Sequence, residues 1–461
     1  FTATGSPACK AQVAEGVLLL HSFVYEDARE AFRKADCPIA RWGEAMTYDH
    51  PLWGEENLAA GRAALARLTA TKVSTLETGL IEAARALYGE GDWETRHEAW
   101  LAKLAELHAQ LPQDDEAALF YALALYVNSH HGKDVKRAME AVAIAQDVFT
   151  RNPDHPGAAH YLIHAADTPD HAILALKAAR RYAQIAPASS HALHMPSHIF
   201  VQLGMWKDVE SSNLAAFTAS EKRPRPDWHS YRWLAAARLE LGKPQLVLPM
   251  LEMLRDRMAS NKSAELRWVY AQMAQMYLSQ AAYDEKLLAP LHDLPGEEDS
   301  AAGGHISYNL YAQSSELETR LEHAAMQGDE AKARELAAAD EALKLAPERA
   351  HLLSAARIAQ ARSVRDPGSL NEATQATRAL ADFDDAQPVS GPAESTPARE
   401  QLGDLLMRTH RYIEAEREFH KALELRPNRL HALRGLQESA LGAGEMQVAS
   451  SAQAQITRQV Q

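Results

Sequence analysis

The stretch LGDLLMRTHRYIEAEREFHKALELRPNRLHAL, Leu402–Leu433, has the pattern of two helices joined by a turn. Its apolar residues recur three and four positions apart, which is the helical period. The small residues Gly403, Ala415 and Ala422 allow the two helices to approach closely, and Pro427 follows the second helix, which a proline cannot continue. The same spacing recurs throughout the chain, whereas the alternation typical of strands is scarce. The sequence therefore predicts an all-α protein.

These positions, with Phe419 four residues after Ala415, resemble the tetratricopeptide repeat (TPR), a helix–turn–helix unit of about 34 residues. The resemblance implies a TPR-like α-solenoid, a right-handed superhelix of helical hairpins whose A helices line a concave groove. The chain also resembles uncharacterised bacterial TPR proteins that carry segments like HYLIHA and ALHMPSHIF in histidine-rich helices. More degenerate copies carry parts of the same pattern at Gly16, Ala28, Phe32, Ala35, Trp42, Gly43, Pro153, Pro187, Gly204, Trp206, Gly242 and Pro347.

Two stretches interrupt the repeats. Residues 291–305, LHDLPGEEDSAAGGH, are rich in glycine and acidic residues and predict a loop. The stretch DFDDAQPVSGPAESTPARE, which starts at residue 382, predicts a flexible linker or long loop. We therefore expect a solenoid with irregular inserts and a histidine-rich groove over residues 1–381, a linker or long loop over 382–396, and C-terminal TPR repeats over 397–461.

Length, charge and hydropathy limit the classes of partner. The chain has 461 residues, of which 46% are hydrophobic, so it can bury a large core. No apolar run approaches the roughly 20 residues that a membrane-spanning helix needs. The formal net charge of −14 argues against nucleic acid as a partner, because phosphate binding requires clustered lysine and arginine. We expect neither a membrane span nor nucleic-acid binding.

The two cysteines, Cys9 and Cys37, lie near the N-terminus. A pair with no third cysteine is compatible with one disulfide formed in an oxidising compartment, and equally with two free or buried thiols. Because the sequence begins at Phe1 without a methionine, as a processed protein does, we expect a periplasmic or secreted location.

Histidines are concentrated in one part of the chain, since residues 130–198 hold nine of the 21. HYLIHA contains His160 and His164, and HALHMPSHIF contains His194 and His198. The two pairs repeat at one period, because 194 − 160 = 34 and 198 − 164 = 34. Residues four apart on a helix share a face, so each pair projects from one side of its helix.

The TPR resemblance assigns these pairs to positions 5 and 9 of two consecutive A helices, positions that face the groove in that family. Asp167 continues the stripe of His160 and His164, and His130 lies 34 residues before His164, so both are candidate additional ligands. Further groove-lining candidates are His21, Glu44, His50, His191 and His229.

Clustered imidazoles indicate a transition metal. Neutral histidine is a frequent ligand of zinc and copper, whereas magnesium and calcium prefer oxygen. The sequence thus predicts a copper or zinc site formed by His160, His164, His194 and His198. There is no His-Glu-x2-His motif, so peptidase chemistry of the zincin type is not indicated.

Two alternatives remain open. The histidines can instead bond to one another and to buried water, or line a groove that binds a peptide or small molecule without a metal. TPR solenoids commonly bind polypeptides, which would make this chain a scaffold. The sequence does not choose between a metalloenzyme, a metal carrier and a storage protein, and it assigns no catalytic residue.

Overall fold

The computed structural model describes residues 1–68, 73–130, 132–293 and 307–461, and within them the chain is almost entirely helical. The one β-hairpin pairs β1 (Asp49–His50) antiparallel with β2 (Glu55–Glu56). The helices of the first half are α1 (Pro7–His21), α2 (Tyr25–Lys34), α3 (Pro38–Met46), α4 (Leu58–Ala66), α5 (Thr75–Leu87), α6 (Trp93–Gln110), α7 (Asp115–Val127), α8 (Val135–Arg151), α9 (Pro156–Ala165), α10 (Ala172–Ile185), α11 (Ser190–His194) and α12 (Pro196–Gln202). Those of the second half are α13 (Trp206–Ser220), α14 (Trp228–Glu240), α15 (Leu248–Ser260), α16 (Ala264–Gln280), α17 (Ala289–Asp293), α18 (Tyr308–Gln327), α19 (Glu330–Glu341), α20 (Pro347–Arg365), α21 (Leu370–Asp385), α22 (Ala398–Arg408), α23 (Tyr412–Leu425), α24 (Leu430–Ala443) and α25 (Met446–Val460).

These helices form two compact units. Unit 1 comprises residues 1–199 and 218–223, and unit 2 comprises residues 200–217, 224–293 and 307–461. In both units, helices that follow one another in sequence pack as hairpins, for example α7 with α8 and α9 with α10 in unit 1, and α20 with α21 and α22 with α23 in unit 2. The predicted all-α, TPR-like solenoid of helical hairpins is confirmed.

Small residues make the hairpins pack closely, as the sequence pattern predicts. The ring of Phe419 on α23 lies against Gly403 of α22 and Gly435 of α24. A Cβ atom at these two glycines would come within 2.6 Å and 2.3 Å of that ring. In unit 1, Phe32 occupies the equivalent place, and a Cβ atom at Gly43 would lie 2.2 Å from its ring. The glycines are therefore required by the close approach of neighbouring helices.

Within unit 2, the buried side chain of Arg429, at the start of α24, forms ion pairs that connect this helix to α14. Arg429 donates from Nη1 to Glu240 over 2.5 Å and from Nε to Glu400 over 2.8 Å. All three side chains are at most 2% exposed. The backbone N–H of Leu430 donates to the second oxygen of Glu240 over 2.7 Å. A second contact joins Trp206 Nε1 to the carbonyl of Asn428 over 3.0 Å.

The two predicted interruptions differ in detail from the structure. Helix α21 continues to Asp385, past the expected start of the linker at residue 382, because Arg399 holds carboxylates of that last turn, with 2.9 Å between Nε and Asp385. The residues from 386 to 397 form neither helix nor strand. Helix α17 occupies the first residues of the loop expected at 291–305, and the remainder of that loop lies outside the described residues.

Of the two alternatives for the cysteines, unit 1 has the disulfide. Cys9 on α1 is bonded to Cys37, which precedes α3, with the two Cα atoms 6.2 Å apart. Across the part of the chain that the structure describes, no helix combines the length and apolar character needed to cross a membrane.

Candidate metal centre

Three histidines of unit 1 converge through their Nε2 atoms, and we refer to His160, His164 and His191 as the first histidine group. His160 and His164 lie on α9, one turn apart, and His191 lies on α11. His160 Nε2 is 3.1 Å from His164 Nε2 and 3.0 Å from His191 Nε2. Nitrogen ligands about 2.0–2.1 Å from a zinc ion lie roughly 3.0–3.4 Å apart, so these separations suit three ligands of one ion.

The tautomer of His160 leaves Nε2 free to bind. Its Nδ1 lies 2.6 Å from the backbone carbonyl of His21. Because a carbonyl can only accept, Nδ1 carries the proton and Nε2 presents its lone pair to the group. Metal-binding histidines commonly have such a bond from the other ring nitrogen.

Burial keeps these rings neutral. His160 is completely buried, which lowers its pKa to about 3. Burial, together with repulsion from the neighbouring imidazoles, also holds the pKa of His164 and of His191 well below the usual value. A neutral imidazole is the form that coordinates metal ions, so no proton needs to leave the group at neutral pH.

A second histidine group consists of His194 and His198, with Asp167 beside them. The two Nε2 atoms are 3.1 Å apart. His198 Nδ1 donates to an oxygen of Asp167 over 2.8 Å, and this carboxylate is only 6% exposed. The bond fixes the tautomer of His198, so that its Nε2 is the nitrogen available to a metal.

A proline interrupts the helix that the sequence predicts through His191, His194 and His198. Helix α11 ends at His194 and α12 begins at Pro196, because a proline has no N–H for the helical hydrogen bond. The chain nevertheless stays close to helical, since Met195 N–H donates to the His191 carbonyl over 2.9 Å and His198 N–H to the Met195 carbonyl over 3.2 Å. The His194–His198 pair therefore keeps its one-turn relation.

The two histidine groups are neighbours within unit 1. The ring centroids of His164 and His198 are 5.9 Å apart, with their planes at 55°. The four histidines predicted from the 34-residue period thus lie in one cluster, and His191 joins them. That this cluster binds a metal stays a prediction.

Phe23 forms an aromatic wall against the first group. Its ring centroid lies 4.4 Å from that of His160, 5.8 Å from His164 and 6.0 Å from His191. Its backbone has φ of 54°, an uncommon and strained conformation for a bulky side chain. On another side, Tyr182 stacks on His160 at 5.1 Å. The strained backbone is thus retained at a residue that contacts all three imidazoles.

The β-hairpin adds a second aromatic layer. His50 stacks on Tyr25 with ring centroids 4.0 Å apart, and its Nε2 donates to the Thr47 carbonyl over 3.2 Å. Trp53 at the tip is 46% exposed, and its ring lies 6.3 Å from that of His191. His50 therefore supports the hairpin beside the first group.

His21 belongs to a separate buried network that positions His160. Its Nε2 lies 2.7 Å from Glu116, and its Nδ1 lies 2.8 Å from the hydroxyl of Tyr161. His155 Nε2 is 3.3 Å from the other oxygen of Glu116. Burial raises the pKa of Glu116, but the two histidines outweigh that effect and hold it well below the usual value. The network fixes the end of α1, where the His21 carbonyl accepts from His160.

Two of the remaining candidates, Glu44 and His130, lie apart from both histidine groups. Glu44 on α3 is buried in an ion-pair network with Arg33, 2.9 Å away, and with Arg67. His130 is exposed in the turn after α7, with φ of 52°. Within the described residues of unit 1, no contact joins Glu44 or His130 to either histidine group. His229 lies on α14 in unit 2.

Comparisons with known proteins find similar solved structures at low sequence identity. No protein-family description and no curated protein matches the chain. Among solved structures, it is similar to the human IFIT1 dimer with m7Gppp-AAAA, at 14% identity and a TM-score of 0.41, over 97% of this chain and 90% of that one. Yeast Tom70 is similar at 11% identity and 0.39, over 95% and 96%. The P58(IPK) TPR domain is similar at 14% identity and 0.24, over 95% and 99%.

Proposed function

We propose that unit 1 binds a transition metal, copper or zinc, through its clustered histidines. One observation carries the proposal: the Nε2 atoms of His164 and His191 lie 3.1 Å and 3.0 Å from Nε2 of His160, while the other nitrogen of His160 is fixed by the His21 carbonyl. Imidazole nitrogens this close need a proton or a cation between them, because bare lone pairs repel one another, and the Nε2 lone pair of His160 is available to either.

The ligand atoms of the site determine which metal ions it favours. All of them are neutral imidazole nitrogens, which favour copper and zinc over magnesium and calcium. Three protein ligands leave a fourth position open for water or a substrate, as in catalytic zinc sites. Phe23 and Trp53 lie against imidazoles of the first group, with ring centroids 4.4 Å from His160 and 6.3 Å from His191.

Metal analysis tests this function directly. Protein stripped with a chelator, reloaded with Cu²⁺ or Zn²⁺ and then dialysed should retain the ion, as measured by elemental analysis. The His160→Ala/His194→Ala variant should lose it, whereas His420→Ala, which changes a half-exposed histidine of unit 2, should not. Wild-type protein that releases both ions at micromolar concentration would contradict the proposal.

A second candidate function, binding of an extended polypeptide, has support in unit 2. The irregular segment of residues 386–397 lies against helices of that unit as a bound peptide would. Gln202 donates to the Val389 carbonyl over 2.7 Å, and Glu394 is held by Arg232 over 2.6 Å and by Gln272. Beside this segment lies a cavity of about 460 Å³.

A peptide supplied in trans distinguishes this function. We replace residues 388–396 by a glycine–serine linker and add a labelled peptide of residues 387–397. Fluorescence anisotropy should show binding to this variant and much weaker binding to the wild type, whose own segment competes. A peptide with Glu394→Ala is the matched control and should bind more weakly. Equal affinity of both peptides would exclude specific recognition of the carboxylate.

A further inference from the structure

The number of imidazole donors in unit 1 exceeds what one ion can use. The first group supplies three Nε2 atoms and the second supplies two. Zinc and copper sites in proteins commonly have about four ligands, of which a reactive site leaves at least one for solvent. Five histidine nitrogens around one ion would leave no such position and would crowd the rings.

Each group also has its own anchor. In the first group, His160 Nδ1 is fixed by the His21 carbonyl at the end of α1. In the second group, His198 Nδ1 is fixed by Asp167, in the turn that follows α9. A residue oriented through its second nitrogen is pre-arranged for its own ion, and here two such residues aim at two separate points.

The two points are close together. The rings of His164 and His198, one from each group, have their centroids 5.9 Å apart. Two-metal sites in proteins hold their ions roughly 3.5–4 Å apart, with a shared ligand between them. The described donors of the two groups are imidazole nitrogens, and Cu²⁺ binds a given set of nitrogen ligands more tightly than Zn²⁺ does.

From this arrangement we infer that unit 1 holds two copper ions side by side, one in each histidine group, bridged by a small oxygen ligand. The inference rests on the proposed metal-binding function and adds the number, the identity and the coupling of the ions. Among the residues of unit 1, the first group provides three protein ligands to its ion and the second provides two.

The number of copper ions retained per chain shows whether each histidine group binds its own ion. Wild-type protein loaded with Cu²⁺ and dialysed should retain two copper ions per chain by elemental analysis. His164→Asn/His191→Asn, which leaves the buried His160 in place, should retain one, and His194→Asn/His198→Asn should also retain one. The matched control His351→Ala/His420→Ala changes two exposed histidines of unit 2 and should retain both ions. Circular dichroism verifies that each variant is folded.

Electron paramagnetic resonance supplies a readout that needs no variant. Two Cu²⁺ ions sharing a ligand couple magnetically, so the fully loaded wild type should give much less than two spins of isolated-copper signal. Each single-group variant should give one full spin per chain. Two independent spins in the wild type would overturn the bridged pair.

The possible outcomes distinguish a failure of the copper pair from a failure of metal binding in general. Wild type that retains one ion, lost in either asparagine variant, would overturn the pair and leave metal binding intact. Two zinc ions with no copper retained would overturn the assignment to copper. Retention of no ion would remove the proposed function itself.

Discussion

Asp167 shows how one carboxylate can orient a neighbouring imidazole. It accepts from His198 Nδ1 over 2.8 Å, which holds the ring in position and leaves Nε2 as the unprotonated nitrogen of the neutral ring. The sequence places Asp167 on the stripe of His160 and His164, seven residues after the first, yet the structure shows that it orients a histidine of the next repeat.

The corresponding prediction concerns affinity. Asp167→Asn removes the charge and keeps the size, so the affinity of the second group for copper should fall about 10- to 100-fold. Competition with a colorimetric chelator measures it. Asp170→Asn, an exposed change three residues away, is the matched control and should leave the affinity unchanged. An equal loss in both variants would point to a general electrostatic effect instead of ring orientation.

A different histidine makes the stability of unit 2 depend on pH. Burial lowers the pKa of His431, but the hydrogen bond to Asp404 over 3.0 Å and the charges of Asp404 and Glu400 outweigh it and raise the pKa to about 9, against an ordinary 6.5. The folded state therefore holds an extra proton between these values. Other charged groups near His431 are Arg429, Glu240 and Glu322.

Because the folded pKa is raised, the stabilisation is complete below about pH 6.5 and is lost as the pH rises through about 9. Urea unfolding measured between pH 6 and pH 10 should show this decline in the wild type. His431→Gln should show a smaller decline over the same window. A variant whose stability falls as steeply as that of the wild type would show that other groups cause the dependence.

Residue types and spacing alone predicted the two His-x3-His pairs, because a fixed period places equivalent positions on equivalent faces. The participation of Phe23, His21 and Glu116 could not be predicted in this way. His21 lies 139 residues before His160, and no local pattern relates a backbone carbonyl at the end of one helix to a ring on another. His191 was expected only to line a groove, since its i+3 relation to His194 does not reveal that it turns towards His160.

At the scale of helices, aromatic rings that pack against glycines determine the distance between neighbouring helices. Phe419 fills the space that Gly403 and Gly435 leave open. The sequence indicated this packing in part, because small residues and a phenylalanine, Phe32 or Phe419, occupy the same positions in two repeats. The break at Pro196 was also visible in the sequence, but the repeat register alone favoured an unbroken helix there.

Substitution at Gly435 tests this packing. Gly435→Ala places a methyl group where only 2.3 Å separates it from the Phe419 ring, so the helices must move apart. The overpacking should lower the free energy of unfolding by about 1–3 kcal/mol, although alanine favours the helix itself by up to about 1 kcal/mol. Thermal or urea unfolding measures the change. Adding Phe419→Leu should recover part of the loss, and an unaltered or raised stability in the single variant would contradict the packing argument.

At the scale of the whole molecule, repeats predict contacts between neighbours in sequence and nothing beyond them. The pairing of α24 with α14 in unit 2 joins residues 189 positions apart through Arg429 and Glu240. No period in the sequence contains that information, because the contact depends on accumulated curvature over many helices. The division into two compact units is equally invisible, since the helical pattern continues across it.

Removal of the buried arginine should destabilise unit 2 strongly. Arg429→Met leaves Glu240 and Glu400 buried without their cation, and breaking a buried ion pair in this way costs about 3–5 kcal/mol. Urea unfolding measures the loss, and hydrogen exchange should increase in α24 and α14 together. Arg434→Met changes an exposed arginine on the same helix and is the control. Faster exchange in α24 alone would mean that the contact does not link the two elements.

The buried ion pairs of Arg429, which join α24 to α14, limit how the number of repeats can change during evolution. An open-ended array can gain or lose a hairpin by gene duplication or deletion, since each new copy meets only its neighbours. In this protein, a hairpin inserted between α14 and α24 would move Arg429 away from Glu240 and Glu400. All three charged side chains would then be buried without a partner. We therefore expect the number of hairpins between α14 and α24 to stay constant among proteins that descend from this chain. Surface loops and exposed side chains are expected to vary.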